Sequence, residues 1–211
     1  MTQPWTVVVP VKRLSAAKTR LRGGLPGVAH QDLALALAMD TLAAVRTTPG
    51  VAEVLVVTGD TRVAQVVRSA GVRLLPDPDA GLNAAFRHGA ANVTGWVAGL
   101  TADLPALRPA ELAAALYAAL SGPPAARRFV ADTPGTGTVL LAAPPGVPLD
   151  PRFGPDSAAA HTASGAYPLT GGWPSLRRDV DTADDLAAAA WLGLGPRTAA
   201  VAAGCLTESP S

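Results

Sequence analysis

Short runs of β-branched and apolar residues alternate with helical periodicity through the first half of the chain, and this rhythm constrains the fold more than any other feature. Trp5–Val11 (WTVVVPV) and Glu53–Thr58 (EVLVVT) read as strands buried on both faces, since neither alternates apolar with polar residues. Between them Gln31–Arg46 carries Leu33, Leu35, Leu37, Leu42 and Val45 among alanines, a helix that Pro49 and Gly50 end. Thr61–Ala70 reads as a second helix closed by Gly71, and Val72–Leu75 as a third strand. Strands joined through helices lie parallel with right-handed crossovers. The expectation is a single-domain α/β fold, Rossmann-like, with a mostly parallel central sheet flanked by helices.

A fourth run, Trp96–Leu100 (WVAGL), is the strand with the most chemistry attached. It ends in Thr101-Ala102-Asp103-Leu104-Pro105, and Pro105 has no N–H to continue a central strand. Asp103 therefore falls at or just past the carboxyl end of a core strand, the edge where open α/β sheets bind ligands. A carboxylate there suits Mg²⁺, which is usually held by one or two carboxylates plus substrate phosphates. Capping of the helix that starts near Pro109 is the structural alternative, although Asp103 lies early for it.

Composition excludes several classes. The chain has 211 residues and a net charge of +1, so it carries no electrostatic footprint of nucleic-acid or membrane-surface binding. No segment reaches the roughly 18 uninterrupted apolar residues of a membrane span, and the N-terminus has no signal-peptide architecture. A soluble cytoplasmic protein is expected. The single cysteine, Cys205, rules out an intramolecular disulfide and a cysteine zinc site. His30, His88 and His161 are too widely spaced to form a ligand pattern, and His161, though close to an anion-type loop, reads as a surface or internally satisfied histidine. Walker, GxGxxG and GxSxG patterns are all missing, which argues against a P-loop enzyme, a nicotinamide oxidoreductase and a serine hydrolase.

The basic residues are 15 arginines and two lysines, and both lysines, Lys12 and Lys18, lie in one stretch after the first strand. Lys12–Gly24 (KRLSAAKTRLRGG) also holds Arg13, Arg20 and Arg22. A basic, small-residue loop there suits a triphosphate; a solvated surface loop is the other reading. Gly81-Leu82-Asn83 opens a helix that runs to about Asn92. Asn83 offers donors and acceptors to a base or ribose, or simply starts the helix.

Gly122-Pro123-Pro124 breaks the rhythm after a helix over Pro109–Leu120. The chain accordingly divides into a first half at about residues 1–121 and a second at about 122–195, with a tail over 204–211. Arg128–Ala131 and Val139–Ala143 read as strands around a Gly/Thr loop, Asp132–Thr138 (DTPGTGT). Pro144–Ser157 is long and irregular, as functional loops are, and runs into a short helix over Ser157–Ser164 with Arg152 nearby, apt for a phosphate or carboxylate. In Arg177–Asp185 (RRDVDTADD) Asp181 is expected to be the N-cap of the next helix in a capping box, which leaves Asp179 as the better second metal carboxylate. The closing segment reads as a short helix and a frayed tail.

Taken in order, VPVKRLSAAKTRL (Val9–Leu21), GLNAA (Gly81–Ala85), ADLPAL (Ala102–Leu107), GTGT (Gly135–Thr138), PRFGPDSAAAH (Pro151–His161) and DVDTADDL (Asp179–Leu186) resemble one family across essentially the whole chain. It is the phosphoenolpyruvate guanylyltransferase or 2-phospho-L-lactate guanylyltransferase family of deazaflavin coenzyme F-420 biosynthesis, within the GT-A-like nucleotidyltransferases. The pairing of GTGT with RFGPDS is the specific part; the other pieces are shared with molybdenum-cofactor and isoprenoid nucleotidyltransferases. The resemblance implies transfer of GMP from GTP to a three-carbon phosphoacid with release of pyrophosphate. Phosphoenolpyruvate is implied as acceptor, giving enolpyruvyl-diphospho-5'-guanosine; 2-phospho-L-lactate and 3-phosphoglycerate are the alternatives. It implies Mg²⁺ on Asp103 and Asp179, acceptor binding by Thr138, Gly154 and Ser157, and nucleotide binding by Lys12, Lys18, Arg20 and Asn83. Lys12, Lys18, Arg20 and Asp103 form the expected catalytic set. Thr101 stands where the family pattern most often has glycine. The labile product implies hand-off to the next enzyme. A molybdopterin nucleotidyltransferase-like enzyme and a non-catalytic nucleotide-binding protein are the rivals, the latter opposed by the presence of Asp103, Asp179 and both lysines together.

Overall fold

The computed structural model describes residues 4–17, 21 and 28–204. Lys18, Arg20 and Cys205 lie outside the described residues. The first strand, β1 (Trp5–Pro10), leads to helix α1 (His30–Arg46), strand β2 (Val51–Thr58), helix α2 (Thr61–Ser69) and strand β3 (Arg73–Pro76). Helix α3 (Leu82–Ala90), strand β4 (Trp96–Leu100) and helix α4 (Pro109–Ala118) complete the first half. The second half adds β5 (Arg128–Ala131), β6 (Thr138–Ala143), α5 (Ser157–Ala163), β7 (Tyr167–Pro168), α6 (Pro174–Arg177), α7 (Ala183–Leu192) and α8 (Pro196–Gly204).

All seven strands join one sheet in the order β3-β2-β1-β4-β6-β5-β7. The pairs among β3, β2, β1 and β4 are parallel, as the strand–helix alternation requires. β6 then runs antiparallel between β4 and β5, and β5 pairs parallel with β7. After the change of rhythm at Gly122 one strand of the same sheet, β6, is reversed, while β5 and β7 keep the direction of β4.

Successive residues of β1 bury on opposite faces. Val7 and Val9 enter the core with Leu42, Val63, Leu112 and Leu116. Val8 enters the other core with Phe86, Phe129, Leu141 and Phe153. Full burial of each such valine stabilises the fold by about 1.5–3 kcal/mol. Helix α3 sits unusually close to the sheet through Gly89, where a methyl group would meet Val8 and Val57.

The closing segment forms its expected short helix. This helix, α8, follows α7, and it is tied to α1: Asp40 accepts from the backbone N–H groups of Arg197 at 3.2 Å and Thr198 at 2.7 Å. That buried carboxylate, 157 residues upstream of Arg197, is a partner no local pattern reveals. Among the described residues no helix is long and apolar enough to cross a membrane.

Candidate active site

In the sheet order β1 is flanked by β2 on one side and β4 on the other, so the chain reverses direction of growth between β1 and β4. The carboxyl ends of two such strands diverge into helices on opposite faces and leave a crevice. Lys12 follows β1 and Asp103 follows β4, so the two groups flank this crevice from adjacent strands.

Two adjoining cavities open there. One, of about 320 Å³, is lined by the end of β1, by Lys12 and by Asp103. The other, of about 500 Å³, is lined by Asp132, Thr136, Gly137, Thr138, the segment 153–157 and Asp179. Leu82, Thr101 and Asp181 line both. Thr101, in the position expected to favour glycine, thus stands at the junction, and its buried hydroxyl has no hydrogen-bond partner among the described residues.

The late acidic segment reaches Asp103 through the backbone: the N–H of Val180 donates to the carbonyl of Asp103 at 3.1 Å. That bond places Asp179 and Asp181 on either side of a residue already fixed beside Asp103, and Val180 itself is fully buried. The expected cap is corrected here. The N-cap of α7 is Thr182, not Asp181, and its capping box uses Asp185. Asp185 accepts from the backbone N–H of Thr182 at 2.9 Å and donates its own N–H to the Thr182 hydroxyl. Asp181 is thereby relieved of the capping role and faces both cavities. Among the described residues no three His, Cys, Asp or Glu side chains converge tightly enough to enclose an ion by themselves. This donor set suits a hard cation completed by phosphate oxygens and water.

The 500 Å³ cavity is shaped by a dense set of long-range bonds. Asp132 accepts from the N–H groups of Gly135 at 2.8 Å and Gly137 at 2.9 Å, which closes the Gly/Thr loop on itself. Sequence reading passed over Asp132, though an Asp three and five residues before glycines is a recognisable Asx-type turn. The first turn of α5 docks on that loop, the Ala158 N–H donating to the Thr136 carbonyl at 3.0 Å. Ser157 opens α5 and is buried. Gly154 has φ 136, a conformation other residues reach only with strain, and Asp156 also has positive φ.

Asn83, expected at the nucleotide, occupies the first turn of α3, where its carboxamide clasps the Phe153 backbone. Its Nδ2 donates to the Phe153 carbonyl at 3.0 Å and its Oδ1 accepts from the Phe153 N–H at 2.8 Å. The Phe153 ring stacks on Phe86 of α3 with centroids 4.2 Å apart. Asn83 therefore braces the segment around Phe153, in the second half of the chain, from the first half.

His161 is internally satisfied, one of the two readings its sequence position offers. It is fully buried, with Nδ1 2.9 Å from the Thr138 hydroxyl and Nε2 accepting from the Arg152 N–H at 2.9 Å. Burial, with the nearby charges of Arg127 and Arg152, lowers its pKa to about 4, so the ring is neutral at pH 7. Asp150 forms ion pairs with Arg127 at 2.8 Å and Arg152 at 3.3 Å. Burial alone would raise its carboxyl, but the hydrogen bonds and charges of these arginines hold it below the ordinary carboxylate range.

Comparison with known proteins agrees with this architecture. Residues 28–169 match the MobA-like NTP transferase domain. The chain is 68% identical to a phosphoenolpyruvate guanylyltransferase of Salinispora arenicola, over 100% of this chain and 98% of that protein. It is 54% identical to one of Geodermatophilus obscurus, over 95% and 94%. Among solved structures, CMP:2-keto-3-deoxy-manno-octonic acid synthetase complexed with CTP shares the fold, with a TM-score of 0.59 at 16% identity over 89% of this chain and 98% of that one. A crevice at the β1/β4 switch point, a GT-A-like sheet and relatives this close along the whole chain lead to one conclusion: the chain is a nucleotidyltransferase that belongs to the phosphoenolpyruvate guanylyltransferase family, within the MobA-like NTP transferases.

Proposed function

We propose that this enzyme transfers GMP from GTP to phosphoenolpyruvate, forming enolpyruvyl-diphospho-5'-guanosine and pyrophosphate. The observation that carries this reading is the pair of cavities joined at Leu82, Thr101 and Asp181, one bordered by Lys12 and Asp103, the other by Thr138, Gly154 and Ser157. Two substrates placed in adjoining cavities can meet at the junction. The acceptor's phosphate is already anionic at pH 7, so an oxygen of that group attacks the α-phosphorus of GTP with no strong general base. A bond forms from that oxygen to the α-phosphorus, the bond to the bridging β-phosphate oxygen breaks, and pyrophosphate leaves with the electron pair. In-line placement and charge relief are the tasks left to the protein.

Lys12 fits the neutralisation of phosphate charge from the end of β1, joined in this reading by Lys18 and Arg20. Asp103 with Asp179 or Asp181 would hold Mg²⁺, which when bound screens the phosphates from one another and from the attacking oxygen. Thr138, Gly154 and Ser157 would hold the phosphoacid. Asn83, read for the nucleotide on sequence, bonds the Phe153 backbone through both ends of its carboxamide, which fits it to support of the phosphoacid side. The product is a labile phosphoanhydride of an enol, which favours direct hand-off to a consuming enzyme in coenzyme F-420 biosynthesis.

The test is pyrophosphate release from the purified enzyme with Mg²⁺ and GTP, offering phosphoenolpyruvate, 2-phospho-L-lactate and 3-phosphoglycerate separately and trapping product with the next enzyme. Release with phosphoenolpyruvate is expected. Release only with another phosphoacid would correct the acceptor, and release only with CTP would correct the nucleotide.

A further inference from the structure

Behind the Thr138 wall of the larger cavity, the hydrogen-bond directions follow from a single backbone group. The N–H of Arg152 can only donate, and it lies 2.9 Å from His161 Nε2. Nε2 must therefore carry the lone pair, and the proton of the neutral ring sits on Nδ1. Nδ1 lies 2.9 Å from Thr138 Oγ1, so Nδ1–H donates and the hydroxyl oxygen accepts. A hydroxyl has one proton, and here it cannot point back at the ring. Thr138 makes no other hydrogen bond through Oγ1 among the described residues, and it lines the cavity.

The ring has little freedom to escape this arrangement. It is fully buried, edge-on to Phe153 with centroids 5.3 Å apart, and tilted against Phe129 at 5.7 Å. The charged groups facing it are Arg127, Arg152 and Asp150, and the two arginines oppose a second proton on the ring. The backbone carbonyl of Ser157, one turn earlier in α5, also favours a proton on the ring.

We propose that His161 is a positioning residue that makes the Thr138 hydroxyl a one-way hydrogen-bond donor into the acceptor cavity. The cavity wall at Thr138 then accepts only an oxygen with a free lone pair, such as a carboxylate or phosphate oxygen, and repels a donor group. This rests on the reading that the phosphoacid binds at Thr138. The same histidine holds the Arg152 backbone through its other nitrogen, so loop position and hydroxyl polarity are set by one ring.

Two substitutions separate these two tasks. His161→Gln places a carboxamide near Nε2 that can still accept from Arg152 but cannot reach Thr138. His161→Asn places its N–H₂ near Nδ1, keeping the donor to Thr138 and losing the Arg152 bond. Loss of an oriented donor to an anion should raise the phosphoenolpyruvate KM of His161→Gln by roughly tenfold to a hundredfold with GTP KM unchanged. His161→Asn should recover much of that loss, and Thr138→Val should raise the same KM while adding nothing to His161→Gln. Equal loss in both histidine variants, or no loss in His161→Gln while Thr138→Val is impaired, would overturn the positioning role. An unchanged phosphoenolpyruvate KM in Thr138→Val would instead overturn the acceptor assignment beneath it. Nitrogen-15 NMR of histidine-labelled wild-type protein, with His161 assigned by His30→Ala and His88→Ala variants, reads the tautomer directly. A protonated Nδ1 with bare Nε2 is expected at neutral pH, and the reverse would refute the proposal even if the substituted proteins fail to fold.

Discussion

The two cavities are built in different ways. Around the acceptor-side cavity, nearly every wall is tied to a distant part of the chain: Asn83 to Phe153, His161 to Thr138 and Arg152, Ala158 to Thr136. The smaller cavity is walled by the end of β1, Ala34 and Ala38 of α1 and the segment 101–103, and its cations stand in solvent: Lys12 is exposed, and neighbouring Arg13 reaches Asp79 through an exposed ion pair at 3.4 Å. Exposed pairs of that kind contribute about 0–1 kcal/mol and are screened by salt. Under the proposed function the contrast suits the two ligands. A small three-carbon acid offers few atoms to grip, so its site must be preorganised, whereas a triphosphate brings enough charge to be held by flexible cations.

Four experiments test or sharpen that contrast. The largest effect is expected at the border between the cavities, where Asp103→Asn should lower kcat by about 10²-fold or more, read as pyrophosphate release at saturating substrates. Near-wild-type turnover would remove Asp103 from the reaction. Next, the braced side should show its dependence on His161 as pH falls. The native pKa of about 4 lies below the ordinary 6.5, so between these values the unfolded chain binds more protons and stability falls as pH drops through the window. Denaturant unfolding should show about 2 kcal/mol less stability near pH 5 than near pH 7 from this group, and His161→Gln should remove that share of the slope. Third, Asn83→Ala should raise the phosphoenolpyruvate KM by about tenfold and leave GTP KM alone, because it releases Phe153. An effect on GTP instead would return Asn83 to the nucleotide. The smallest change is expected for Lys12→Ala, a rise in GTP KM of roughly threefold to tenfold that shrinks as salt is added. A salt-independent change would show that Lys12 is as rigidly held as the acceptor wall.

Much of this was legible before the coordinates. Trp96–Leu100 is a strand over the same residues that its apolar run marks, and Asp103 follows three residues after its carboxyl end. Local ambiguity and long range hide the rest. Asp181 and Thr182 are adjacent N-cap candidates, each with an Asp three residues on, so the pattern alone offers two registers, and the fold uses Thr182. Asn83 carries a carboxamide that nothing nearby in sequence uses; its partner Phe153 lies 70 residues away. His161 reads as satisfied from its sequence, but its partners are not legible there: Thr138 lies on one strand and Arg152 on a loop, brought together only when the sheet is complete.

The sheet order has a consequence for the protein as it is made. β6 lies between β4 and β5, although β5 leaves the ribosome first. Until residue 143 has emerged, the edge of β4 that β6 will cover has no native partner, and that edge runs along Val97–Leu100, which the finished fold buries. β5 must meanwhile avoid pairing in the vacancy. A nascent chain that exposes an apolar strand edge for this interval is open to mispairing with neighbouring chains, so slow translation or a stall between β5 and β6 should favour aggregation.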